Sequence, residues 1–109
     1  MKKYIKTYKK WDKLPWIMPM IVWEEITIFE KDNISIQFFC YKKHNNYYVY
    51  ISNLESSNPW SWNFDRVLWD FCKYFEKATE IQIWDVINSW IIKYLMKHNI
   101  KIYDSIEIL

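Results

Sequence analysis

Aromatic rings and scattered carboxylates are the groups with which this chain can do chemistry. Its 109 residues hold 8 Trp, 9 Tyr and 6 Phe, and no glycine at all. Loops that cradle phosphates or dinucleotides need positive φ and close backbone approach, which glycine supplies at little cost. Without it, recognition must run through side chains, and no cofactor is expected. Trp and Tyr suit that task because each couples a large apolar body to a polar tip. The candidate binding residues are therefore Trp60, Trp62 and Trp69, with Tyr48 and Tyr50. Cys40 and Cys72 stand far apart, with no CxxC and no His at ligand spacing, so no metal site is expected and both read as buried thiols in a reducing compartment. His44 falls in a turn and His98 near a helix end, neither with a nucleophile at readable spacing. Glu24 and Glu25 are adjacent on a strand and face opposite sides, which weakens a paired-carboxylate reading. Glu55, just past the third strand, reads as a surface-loop carboxylate ahead of a general base, so no catalytic residue is expected.

A second constellation lies at the start of the chain. Residues 1–13 carry six Lys and one acid, whereas residues 14–109 carry nine basic and twelve acidic residues. Lys3, Lys6, Lys9, Lys10 and Trp11 interleave cations with rings, the pattern of a single-strand nucleic-acid contact. The competing reading is a short helix that packs Tyr4, Ile5, Tyr8 and Trp11 and leaves the lysines solvated. Pro15 and Pro19 then make a linker, so residues 1–19 are expected as an arm ahead of a single domain at 20–109. The chain shows no apolar run of signal or membrane length, and a cytoplasmic protein without membrane partners is expected.

The elements that must position these groups follow from periodicity. Residues 20–30 read as a strand, closed by a turn at Asp32 and Asn33. Residues 34–42 alternate, with Ile34, Ile36, Phe38 and Cys40 on the core face and Ser35, Gln37, Phe39 and Tyr41 on the other. A turn at 43–46 relies on Asn in left-handed geometry, and 47–52 form a third strand. After the loop that holds Trp60 and Trp62, an amphipathic helix spans 64–77, burying Phe64, Val67, Leu68, Phe71 and Phe75. A short strand at 80–84, a helix at 86–98 with Val86, Ile87, Trp90, Ile91, Tyr94 and Leu95 inward, and a final strand on Ile100, Ile102, Ile106 and Ile108 complete a βββαβαβ order. That order predicts an α+β or α/β domain with a mixed sheet and right-handed crossovers.

Asn88, Ile91, Leu95, Asn99 and Ile100, following the strand at 81–84, fall at the spacing of the N-x-x-A-x-x-x-Y-x-x-x-G-F run of the GNAT acyltransferases, and in element order the chain resembles that superfamily. The resemblance implies a coenzyme A site on the turn before the first helix and a tyrosine general acid. At the turn this chain has Ser57, Asn58, Pro59, Trp60, Ser61 and Trp62, without the family's glycines; at the tyrosine position it has Leu95, beside Tyr94. An RNase H-like arrangement shares the order, with Glu24, Glu25 and Glu80 as its carboxylates.

A GNAT-like scaffold without its coenzyme turn and its acid is expected to be a non-catalytic protein-binding module. Size and an AT-rich codon signature suggest, by analogy, a viral or mobile-element inhibitor of a host machine, of the anti-defence or anti-CRISPR type. Its partner would be a host or viral protein complex. The alternatives are an acyltransferase using acetyl-coenzyme A and single-stranded nucleic-acid binding through the arm. The apolar last strand also allows a homodimer.

Overall fold

The computed structural model describes residues 2–12, 25–56, 63–86 and 89–104. A 3-10 turn at Lys2–Tyr4 leads into β1 (Ile5–Tyr8), followed by β2 (Ile26–Lys31), β3 (Ile34–Lys43) and β4 (Asn46–Ser56). Then come α1 (Asn63–Tyr74), β5 (Glu80–Trp84), α2 (Ser89–Lys97) and β6 (Lys101–Tyr103). The strands form one six-stranded sheet in sequential order. β1 to β4 pair antiparallel, and β4, β5 and β6 pair parallel across the two helical connections. The mixed α+β sheet expected from the sequence is present, with one strand added at its start.

That strand corrects the reading of the arm. Ile5 to Tyr8 pair with Ile26 to Phe29, so these residues are neither helical nor free of the sheet. Ile5 and Thr7 stand on one face and Lys6 and Tyr8 on the other, a period of two that four residues alone do not distinguish from helical spacing. Lys13, Pro15, Pro19 and Glu24 lie outside the described residues.

Hairpin chemistry without glycine falls to short polar side chains. Asp32 and Asn33 (φ 51° and 65°) join β2 to β3, and His44 and Asn45 (φ 53° and 67°) join β3 to β4. Two successive positive φ values match the twist of tight hairpins, and Asp, Asn and His tolerate that region best among residues with a Cβ. Asn99 (φ 60°) closes α2: the Ile100 amide donates to the Leu95 carbonyl at 3.0 Å and the Asn99 amide to Met96 at 3.1 Å. This is the Schellman pattern, and it turns Ile100 into the core.

Both helices lie on one face of the sheet. Phe64, Val67, Leu68 and Phe71 of α1 and Leu95 of α2 are buried against Phe29, Ile36, Phe38, Val49 and Ile51 from the strands. Phe71 is central, edge-on to Phe29 and Phe38 at 5.5 Å each and 5.0 Å from Phe75. Such ring pairs add about 0.5–1.5 kcal/mol each beyond area burial.

A bulge sets which side chains reach the opposite face. Gln37 pairs with Asn53 but Phe38 pairs with Ile51, so Ser52 is an extra residue in β4. Alternation restarts there, which keeps Val49, Ile51 and Leu54 inward and sends Tyr48, Tyr50, Asn53 and Glu55 outward. Cys40 departs from expectation: it shares the core-facing row with Val49 but is exposed. Pairing of β3 with β2 stops at Thr27 and Phe38, so no β2 residue flanks Cys40.

Candidate functional site

Helices cover one side of the sheet, and the other side carries rings. Cross-strand register sets them in rows. Tyr41 opposes Tyr48, which opposes Glu80; Phe39 opposes Tyr50, then Gln82, then Lys101; and Trp84 opposes Tyr103. The rings stack in pairs across the strands: Phe39 on Tyr50 at 4.7 Å, Tyr41 on Tyr48 at 5.0 Å and Trp84 on Tyr103 at 4.9 Å. Cross-strand aromatic pairs of this kind each stabilise a sheet by about 0.2–1 kcal/mol. Phe39 is 51% exposed, a large apolar side chain turned to solvent from the middle of a ten-residue strand.

A polar network joins the rows. The Tyr41 hydroxyl donates to Gln82 Oε1 at 3.0 Å, and Gln82 Nε2 donates to Glu80 Oε1 at 2.9 Å. The same carboxylate oxygen accepts from the Tyr103 hydroxyl. That bond, ahead of burial, pushes the Tyr103 phenol up to about 12, because ionising it would set two anions together. Gln82 is buried, and its two partners fix which end of the amide is which.

Of the residues picked out from the sequence, Tyr48 and Tyr50 belong to this face and Trp69 does not. Trp69 is on α1, 60% exposed, across the domain from the rings. It lines a shallow groove of about 300 Å³ with Cys72, Lys73, Glu76, Lys97 and His98. Burial pushes the Cys72 thiol up to about 12, which keeps it protonated and unreactive there. Trp60 and Trp62, with the whole turn at 57–62, lie outside the described residues, as do Ile87, Asn88, Ile106 and Ile108.

The lysines of the first residues are dispersed. Lys6 lies on the ring-bearing face and pairs with Glu30 at 3.4 Å. Lys3 stands over Tyr4 and Lys10 over Trp11, at 5.2 and 5.1 Å from the ring centres. Lys9 closes a turn, its amide 2.7 Å from Asp12 Oδ2.

Glu55 accepts from Asn53 Nδ2 at 3.0 Å on the outer face of β4. Leu95 is fully buried in the core. Near these residues β4 outruns its partner: parallel pairing ends at Ile51 and Ile83, and a cleft of about 200 Å³ opens among Ser52, Asn53, Leu54, Trp84, Asp85 and Ile91. Among the described residues, no three His, Cys, Asp or Glu gather in a way that would hold a metal ion.

Phe39, Tyr41, Gln82, Trp84 and Tyr103 are the site residues that sequence reasoning passed over, and Glu80 enters it only as a carboxylate of the RNase H-like alternative. A signal for two of them existed, since Phe39 and Tyr41 occupy the side of β3 that alternation assigns to solvent. No family model, no curated protein and no solved structure matches this chain.

Proposed function

We propose that this chain is a binding module that recognises a protein partner through the helix-free face of its sheet. The two stacks Phe39–Tyr50 and Tyr41–Tyr48 carry the reading. Rings already ordered by strands lose little entropy on association, and buried aromatic anchors are worth about 2 kcal/mol or more each at an interface. Each ring spends one face on its neighbour and keeps the other, and the carboxylates Glu30, Glu55 and Glu80 on the same side of the sheet suit a protein partner better than a phosphate backbone. The scaffold reading, a GNAT-like core turned to binding, rests on element order. The narrower reading, inhibition of a host complex by a viral or mobile-element product, rests on size and composition.

Capture on the tagged chain in an AT-rich bacterial host tests this, with wild type beside a Phe39→Ala/Tyr50→Ala variant and with nuclease treatment. A stoichiometric protein that survives nuclease and is lost by the variant, which still folds with a melting temperature lowered by only roughly 1–8 °C, is the expected result. Equal retention by the variant, or loss of the partner on nuclease treatment, overturns the proposal.

The cleft between β4 and β5 favours a second reading, an acyl-group site. It lies at the carboxyl ends of two parallel strands, where open sheets place ligands, and Glu55 follows on β4. Acetyl-coenzyme A at micromolar concentration would then change the fluorescence of Trp84, which lines the cleft. An unchanged spectrum sinks this alternative.

A further inference from the structure

Glu80 is a carboxylate among rings. It begins β5 beside Tyr48, with the hydroxyl of Tyr103 on its Oε1 and Gln82 bridging it to Tyr41. It is half-buried, and among the described residues no cation lies within 4.0 Å of it. Carboxylates elsewhere have one, Glu30 with Lys6, Asp70 with Lys31, and Asp65 with Lys97 and His98, whereas Glu55 on the same face has only Asn53 among the described residues. Lys101 stands one row away, opposite Gln82, without closing an ion pair to Glu80. Both hydrogen bonds to Glu80 fall on one oxygen, so Oε2 takes none from the described residues.

A partly desolvated anion with one open oxygen and aromatic walls is complementary to a cation. Lysine and arginine are the side chains that stay cationic throughout the neutral range, and these surroundings treat them differently. An ammonium is compact and strongly hydrated, and gives up water reluctantly next to rings. A guanidinium is planar, weakly hydrated, stacks on aromatic faces and donates in its own plane to a carboxylate. The outer ring faces of Tyr48 and Tyr103 are the walls such a plane would meet.

Building on the proposed role of this face, we infer that Glu80 receives an arginine side chain of the protein partner, its guanidinium donating to Oε2 and lying against the surrounding tyrosine rings. The network from Tyr41 through Gln82 then has a purpose in recognition, because it holds the carboxylate in one position before the partner arrives. Tyr103 donates a hydrogen bond to Oε1 and keeps its own proton, which leaves the carboxylate's negative charge for the incoming group.

The test uses short peptides as probes on the whole chain. Acetyl-Gly-Arg-Gly-amide is titrated into isotope-labelled protein and followed by amide chemical shifts, alongside the matched citrulline and lysine peptides. Citrulline keeps the shape of arginine and lacks its charge. The expected result is a set of shifts confined to residues 48–50, 80–82 and 101–103, at least about tenfold weaker for citrulline, weaker for lysine, and lost in Glu80→Gln. Retained dispersion of the amide spectrum in the same variant verifies that the fold persists, and a Tyr103 phenol that titrates below about 12 verifies that the charge is gone.

An equal response to citrulline or to lysine overturns the inference, and so does an unchanged response in Glu80→Gln or a response mapped elsewhere. The two proposals fail separately. If the Phe39→Ala/Tyr50→Ala variant loses its protein partner while the arginine peptide leaves residues 80–82 unmoved, the binding face stands and the guanidinium is wrong.

Discussion

Asp65 does two jobs with one side chain. It lies in the first turn of α1, where a negative charge meets the helix dipole favourably, and it accepts from Lys97 Nζ and His98 Nε2 at 2.7 Å each at the end of α2. The Lys97 bond first, then His98, hold its carboxyl below the ordinary carboxylate range. A folded-state value below the unfolded one contributes stability that is complete above the unfolded value, about 3.9, and is lost as pH falls through the folded one. Asp65→Asn should therefore melt below wild type at pH 7, with the gap closing below about pH 4. Melting curves from pH 3 to 7 check this; a gap that stays constant with pH would show that the clasp is not electrostatic. The helix-terminal place of His98 is legible from local pattern. Its partner, 33 residues earlier, is not, because that pairing depends on how α1 and α2 cross.

At the scale of elements, turns and helices were readable and the bulge was not. Asp32, Asn33, His44 and Asn45 announce their turns because the preference for positive φ belongs to the residue itself. The stripe from Phe64 to Phe75 announces α1 for a similar reason, since one amphipathic face needs no knowledge of its partner. Ser52 carries no such mark. It bulges at the point where β4 leaves its parallel pairing with β5, a place fixed by strands far apart in the chain. The turns also supply a stability prediction. Glycine at Asn33, Asn45 and Asn99, all between φ 60° and 67°, removes the strain of a Cβ in the left-handed region. Each substitution should add about 0.5 kcal/mol, a rise of roughly 2–4 °C in melting temperature. Additive increments in the triple variant are the expected outcome of thermal denaturation, and a fall at any of the three would contradict the backbone account.

For the whole molecule, the first residues decide where the domain begins. Tyr4 packs on Phe29 at 5.8 Å and lies 4.8 Å from the Lys31 ammonium, which in turn pairs with Asp70 on α1. Together with the β1–β2 ladder, this binds the start of the chain to both layers. Deleting residues 1–8 should cost about 2 kcal/mol from Tyr4 and Ile5 alone, roughly 8–12 °C in melting temperature. An unchanged melting temperature would restore the arm as a separate segment.

What the sequence determined by itself was local: strand and helix periods, turn residues, an α+β order and a composition rich in rings. Tertiary structure decided which rings share a face. Tyr48 and Tyr50 join Phe39, Tyr41, Trp84 and Tyr103 because register, a bulge and two same-handed crossovers set them on the side that the helices leave open. Trp69 is excluded by the same geometry, since its helix packs on the other side. Periodicity tells a residue which face of its own element it occupies; only the pairing of elements far apart in the chain tells it what else is there.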